Sequence, residues 1–545
     1  VEVHDLSYDP RDPRFATPGD ATLQWSVQIF TLSNCYGLAA EQSEITSTES
    51  GMLLRCAELS WAGQQQRAAG RCEVRVERVD GALTWHIEAW HDEPIKSIKL
   101  LLWGLPNAAL GQGWWNPISP ANHTHQPTVK NPFRLVYPDA TSWPTPWACA
   151  GGNGGGVCIS VRDTAVREKR LFVYPVPYAQ GATVAEIICD ADARHYGPHF
   201  STPAIQLRYC DNQASIDADF AAHMAFVEAA YALRPWASRP DVADWARDIR
   251  LVLNLHGQHW TGYVFNTFDR MAETLRFVAD HAPAQHIAAY LPGWEGRYYF
   301  DYPNFRPAEA LGGAAGFARL AATARELGIR LMPMFGAHGA NAQRYPDWER
   351  AAFRNRSNRY AFAWNKPDWD GDRSGEEDQL FLNPGEPRFR EHLVRQISAM
   401  VKAYDLEIVY LDTTAAWNND PRYHLYEGYR QLCAELRALH PQLMIAGEGW
   451  TDALLAIFPI NLSWLGISRR FRYPQLLANY GRALQHLNEG APGLGSTGVY
   501  EGGYTPATRH APSAGHIASI SIVDDTLTSY REELLRLIVA PSVLY

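Results

Sequence analysis

The sequence predicts a multidomain chain, an N-terminal antiparallel β-sandwich followed by an α/β (β/α)8 TIM barrel. Three observations predict it. At 545 residues the chain exceeds one ordinary domain. Its first part carries short, alternating apolar runs separated by Gly, Pro, Asn and Asp, the pattern of antiparallel strands. From Asp248 onward, short continuous apolar runs alternate with amphipathic helical segments, the signature of a buried parallel sheet. The expected division is residues 1–212 for the sandwich, 213–245 for a linker helix and connector, and 246–545 for the barrel.

In the first part, Leu23–Ile29, Cys72–Val76 and Leu83–Ala89 alternate, and similar runs recur at 97–103, 156–161, 171–175, 184–189 and 205–210. The loop Gly111–Pro117, continuing through His123 and His125, is rich in aromatics and turn formers. It reads either as packing on the sandwich edge or as a wall of a site. Phe220, Met224, Val227 and Tyr231 then repeat at helical spacing, and Pro235 and Pro240 mark a connector.

The barrel units follow in order. Strand one is Ile249–Leu255, with a helix over 270–281. Strand two, His286–Leu291, runs into Pro292-Gly293-Trp294-Glu295-Gly296, and a helix spans 307–327. Strand three, Ile329–Phe335, runs into Gly336–Asn341, after which a long excursion, 345–387, carries Trp348, Trp364 and Trp369. Excursions of that length are usually lids or subsites. A helix over 387–404 leads to strand four, Glu407–Leu411, which ends on Asp412. A helical stripe with Leu425, Tyr429, Leu432, Leu436 and Leu439 leads to strand five, Leu443–Gly447, which ends on Glu448. Leu462–Ile467 is read as strand six and Ile517–Val523 as strand seven or eight, with the last unit expected to be either irregular or cut short.

Composition excludes several classes. Net charge is −10 with no basic block, which argues against nucleic acid, and no apolar run is long enough to span a membrane. Eight cysteines occur without a CxxC, so a zinc ribbon or thioredoxin-type site is not expected. Most of them sit in apolar runs, where a thiol acts as a small hydrophobe. The 19 Trp and 26 Tyr are heavy usage, suited to stacking on sugar rings and also to filling cores. The chain opens at Val1 with no charged-plus-apolar leader, which favours the cytoplasm unless a leader was removed.

In parallel barrels the chemistry gathers at the carboxyl ends of the strands. Asp412 and Glu448 stand there on consecutive strands, and adjacent strands lie about 4.8 Å apart, so both carboxyls can face one small substrate. Paired carboxylates in that relation suit glycoside cleavage, with short Asp412 as nucleophile and longer Glu448 reaching the leaving oxygen. Capping of the next helix is the structural alternative for Asp412. Other polar and aromatic residues at strand ends, Trp294, Glu295, His256, His338, Asn341, Trp417, Trp450 and Asp524, are candidates for binding a glycoside or oligosaccharide. His256, His259 and His338 also raise a metal-dependent barrel hydrolase or isomerase. They lack a recognisable ligand spacing, so no metal or other cofactor is expected. A non-catalytic carbohydrate-binding barrel would keep the tryptophans but has no need of two strand-end acids.

Tyr410-Leu411-Asp412 and Ala446-Gly447-Glu448-Gly449-Trp450, with Pro292-Gly293-Trp294-Glu295-Gly296, resemble the endo-α-N-acetylgalactosaminidases over roughly residues 248–470, and more distantly the α-amylase superfamily. The resemblance implies an α-retaining glycoside hydrolase with Asp412 as nucleophile and Glu448 as acid/base. Two departures separate the chain from the α-amylases. Tyr410 stands where they carry Arg, and Asp524-Asp525 only loosely replaces their Asn-His-Asp triplet. α-Galactosidase-like barrels share the strand-four Asp but take their acid from strand six. In that arrangement Glu448 would bind substrate.

Overall fold

The structure, a computed structural model, describes residues 13–106, 113–118, 131–152, 154–175, 182–259, 262–296, 301–354, 363–365, 378–462, 472–487 and 512–543. The chain forms two compact units, Val1–Leu233 with Arg470–Tyr473, and Arg234–Arg469 with Pro474–Tyr545.

The first unit is a β-sandwich of antiparallel pairs, with 17 strands among the described residues. Its spine is one long strand, Ala82–Pro106, where the sequence suggested two separate runs. The strand continues because its partners shift register midway, between Phe30 and Thr31 on one side and between Gly197 and His199 on the other. Pro94, which has no N–H to give a ladder, stands at that irregularity. The helix read as a linker, Gln213–Tyr231, belongs to this unit instead. Asn212 and Ser215 form its capping box, and Ile216, Phe220, His223, Met224 and Val227 are buried. Asp219 on the same helix accepts from Trp147 Nε1 at 2.8 Å and Arg208 Nε at 2.7 Å. Tyr473 closes this patch, its ring stacked 4.1 Å from Phe220 and edge-on to Trp147, while Arg472 lies 3.8 Å over the Trp115 ring. Trp114 and Trp115 are wholly buried and pair with Ala150 and Cys149, so this part of the aromatic loop packs within the sandwich. His123 and His125 lie outside the described residues.

The second unit is a closed parallel barrel of eight strands. In order they are Leu251–Asn254, Ile287–Leu291, Arg330–Phe335, Ile408–Leu411, Met444–Glu448, Ile460–Leu462, Arg482–His486 and His516–Ser521. Strand one pairs with strand eight, Asn254 opposite Ser521, so the last unit completes the cylinder and is not irregular. Strand six begins earlier than the sequence suggested, because only the short 3-10 turn Leu454–Ala456 separates it from strand five. The remainder of that expected strand, 463–467, lies outside the described residues. Strand seven went unread because Arg482-Ala483-Leu484-Gln485-His486 is polar at both ends, although Gln485 and His486 are buried. The helices Pro387–Tyr404 and Leu425–Leu439 have the bounds their apolar stripes imply. Glu386 caps the first, accepting from Phe389 N at 2.7 Å, with Pro387 at the first helical position. Gly339–Asn341, just before the excursion, forms a small antiparallel sheet with Asp378–Phe381 and Ala363–Asn365 inside it.

Candidate active site

Asp412 and Glu448 stand at the carboxyl ends of strands four and five, and both are buried, at 5 % and 1 % exposure. The backbone registers them tightly. Asp412 N donates to Phe335 O of strand three at 2.9 Å. Thr414 Oγ1 accepts from Glu448 N at 2.8 Å and donates to Glu448 O at 2.9 Å, so one hydroxyl satisfies both main-chain groups of Glu448. Gly447 is required beneath it, since a Cβ there would meet Thr414 Oγ1 at 2.7 Å and the Phe458 ring at 2.8 Å. Thr413 lies at φ +59°, a left-handed conformation that β-branched residues rarely adopt. That twist points its N–H at Glu448 Oε2, 2.7 Å away.

The two carboxyl groups lie within hydrogen-bonding reach of each other. Burial first, and then the charge of Glu448, hold the Asp412 carboxyl well above the usual carboxylate range, with Glu295 adding to the effect. Tyr410, in the place of the α-amylase arginine, is buried with its ring 4.7 Å from Tyr290 and brings no positive charge to Asp412.

The remaining candidates divide. Glu295 follows strand two; its Oε1 accepts from Tyr302 Oη at 3.3 Å, while its buried Oε2 has no hydrogen-bond partner among the described residues. Burial pushes its carboxyl up to about 8. His256 is buried beside Phe265, neither ring nitrogen has a described partner, and burial holds it down to about 3. His338 is held down to about 4 by burial, with the Asp412 main chain close to its ring. Trp417 is half-buried, its Nε1 without a described partner and its ring 5.3 Å from His424.

Three candidates are placed otherwise. Trp294 is a core residue, not a sugar platform, because its ring packs against Phe317 and Phe335 and its Nε1 donates to Met334 O at 2.7 Å. Asn341 uses its Oδ1 to close its own turn, accepting from Gln343 N and Arg344 N. Asp524, after strand eight, accepts from Tyr263 Oη at 2.9 Å. Trp450 follows strand five and is buried. Thr413, Thr414 and Tyr302 escaped the sequence reading, since a hydroxyl beside an acid carries no pattern of its own. Among the described residues no three His, Cys, Asp or Glu side chains gather as a metal-holding group.

An antiparallel β-domain with a (β/α)8 barrel is a fold shared with solved glycosidases. An α-N-acetylgalactosaminidase from Bifidobacterium bifidum, solved as its GalNAc complex, matches with a TM-score of 0.63 at 15% identity, over 98% of this chain and 91% of that one. The same enzyme in its Gal-NHAc-DNJ complex gives 0.64 at 14% identity, over 95% and 88%. A GH36 α-galactosidase from Geobacillus stearothermophilus in complex with raffinose gives 0.51 at 11% identity, over 100% and 80%. Identities this low establish the fold. No protein-family model matches the sequence, and no curated protein matches it either.

Proposed function

We propose that the protein is a glycosidase that cleaves an α-glycosidic bond with retention, Asp412 acting as nucleophile and Glu448 as acid/base. The observation that carries the reading is the pair of buried carboxyls within hydrogen-bonding reach on neighbouring strand ends. Retaining cleavage needs one ionised and one protonated carboxyl, about 5–5.5 Å apart around the anomeric centre. Positive charge developing on the ring favours the Asp412 anion, while Glu448 as the acid gives its proton to the leaving oxygen. Asp412 forms the bond to the anomeric carbon as the bond to that oxygen breaks. Glu448, now ionised, takes a proton from water, which attacks and releases Asp412.

The alternative that draws its acid from strand six lacks a side chain for the role. No Asp or Glu occurs between Asp452 and Glu489, a stretch that includes strand six and all that follows it up to strand seven. The structural neighbours, an α-N-acetylgalactosaminidase and an α-galactosidase by their titles, support α-galactosides and α-N-acetylgalactosaminides as first substrates to try. A panel of aryl α- and β-glycosides tests the reading. Release of the aryl group from α-glycosides is expected, and turnover of β-glycosides alone would refute it.

A further inference from the structure

Three consecutive residues after strand four clasp Glu448. Thr413 N donates to its Oε2 at 2.7 Å, Thr414 Oγ1 holds both its main-chain groups, and Ala415 N donates to its carbonyl at 3.0 Å. Thr414 and Ala415 therefore fix the main chain of this acid, and Thr413 is the one of the three that reaches its carboxyl. It does so from φ +59°, where Gly, Asn or Asp is the ordinary occupant and a β-branched residue is an outlier. Any residue except proline supplies that N–H, so the N–H alone does not explain a threonine. An outlier of this kind at an active site argues for a role of the side chain.

The Thr413 side chain has a partner of its own. Its hydroxyl lies within hydrogen-bonding reach of the Asp412 carboxyl, so the main chain of one residue serves one acid and its side chain serves the other. Little else steadies an anion at Asp412. Strand five presents Glu448 to it and strand two presents Glu295, both acids. Strand three presents His338, whose ring meets the Asp412 main chain rather than the carboxyl. Tyr410 of strand four and Tyr429 of the helix that follows are buried phenols. No cation is among these groups. A buried carboxylate without a cation is held by the donors aimed at it, and the Thr413 hydroxyl is such a donor.

We propose that Thr413 is the positioning residue of the nucleophile, its hydroxyl donating to the Asp412 carboxylate and holding it as the attacking anion while its N–H holds Glu448 alongside. This rests on the glycosidase reading, so it is tested by turnover and also by a spectrum that needs none. Thr413→Val removes the hydroxyl and keeps the branched shape. Thr413→Gly removes it and relieves the left-handed backbone, and Thr413→Ser keeps it. The acidic limb of kcat/KM with an aryl α-glycoside reports the ionised carboxylate of the free protein, the two acids titrating as a pair. That limb is expected to move up by about one pH unit in Thr413→Val and in Thr413→Gly, about a tenfold loss of kcat/KM at its foot, and to stay in place in Thr413→Ser. Infrared difference spectra, each protein against its own Asp412→Asn counterpart, follow the protonated Asp412 carboxyl with pH. Its band should persist about one pH unit higher in the same two variants.

An unmoved band in Thr413→Val and Thr413→Gly overturns the assignment, and where turnover is seen so does an unmoved limb. A threonine of merely structural use would lower activity at every pH alike and move neither. A Thr413→Ser shift as large as that of Thr413→Val also overturns it. Should Thr413→Val fold poorly, Thr413→Gly gives the same reading without the strained backbone. A band that moves as expected without hydrolysis of any aryl α-glycoside keeps the hold of Thr413 on Asp412 and removes the glycosidase reading. Hydrolysis with band and limb unmoved does the reverse.

Discussion

Thr413 holds a left-handed backbone that costs on the order of 1–3 kcal/mol, and it sits between the two acids. Strain of this kind persists where the surroundings enforce it, and here Thr414 does so by clasping both main-chain groups of Glu448. Thr414→Val keeps the shape but strands the Glu448 N–H, so we expect a loss of about 1–3 kcal/mol in stability. A fall in turnover larger than that destabilisation explains should accompany it. Chemical denaturation and steady-state kinetics on the same preparation separate the two effects. The acids themselves should fail differently. Asp412→Asn is expected to abolish turnover with every leaving group, because no glycosyl-enzyme can form. Glu448→Ala should keep a fast first step with leaving groups that need no proton, and azide should restore turnover with a product of retained configuration. An inverted azide product would sink the retaining assignment. Glu295 adds a stability signature. Its folded carboxyl titrates at about 8, well above the ordinary Glu value of about 4.3. Its contribution is therefore complete below about pH 4 and lost as pH rises through 8. Glu295→Gln does not titrate, so its melting temperature should overtake that of the natural protein across this window. Equal melting curves at pH 9 would contradict a carboxyl raised to about 8. The strand-end positions of Asp412 and Glu448 were legible because an acid closing an apolar run is a pattern, whereas Trp at a strand end serves core and ligand equally well, and Trp294 is in the core.

Among elements, legibility followed amphipathicity. The helices Pro387–Tyr404 and Leu425–Leu439 each bury one stripe and expose the rest, so their periodicity is strong. Strands four and five are buried along their whole length and read as continuous apolar runs. Strand six has only three residues and strand seven includes buried polar side chains, so neither contrasts with its surroundings. The turns depend on glycine in ways that spacing does not reveal. A Cβ on Gly336 would fall 1.8 Å from the Tyr302 ring, and Tyr302 is the donor to Glu295. Gly336→Ala must displace that ring, and a destabilisation of about 1–3 kcal/mol is expected. Weaker sugar binding should accompany it although no ligand contact is altered. Thermal unfolding alongside calorimetry checks both, and unchanged values in the pair would show the ring to be dispensable.

At the scale of the whole molecule, the two-part organisation was readable from composition, but the allocation of the helix between the parts was not. An apolar stripe says that a helix packs, not on what. In the first unit the stripe meets Trp147 and Tyr473. None of the eight cysteines is in a disulfide; seven are buried, and Cys35 is half-buried. A thiol reagent should therefore modify about one thiol in the folded protein and all eight in denaturant, and reductant should leave the melting temperature unchanged. Rapid modification of several thiols in the native state would contradict the packing.

The place of Arg472 and Tyr473 in the first unit bears on how the protein can be made and divided. A ribosome has to synthesise some 240 further residues, most of the barrel, before the ring that stacks on Phe220 becomes available to the sandwich. Until then the faces of Phe220, Trp147 and Trp115 are uncovered, so the nascent first unit is a client for chaperones rather than a finished module. For the same reason a gene cut after Leu233 would encode a fragment that is sticky at this patch, and a graft of the sandwich onto another enzyme would have to bring the 470–473 segment with it.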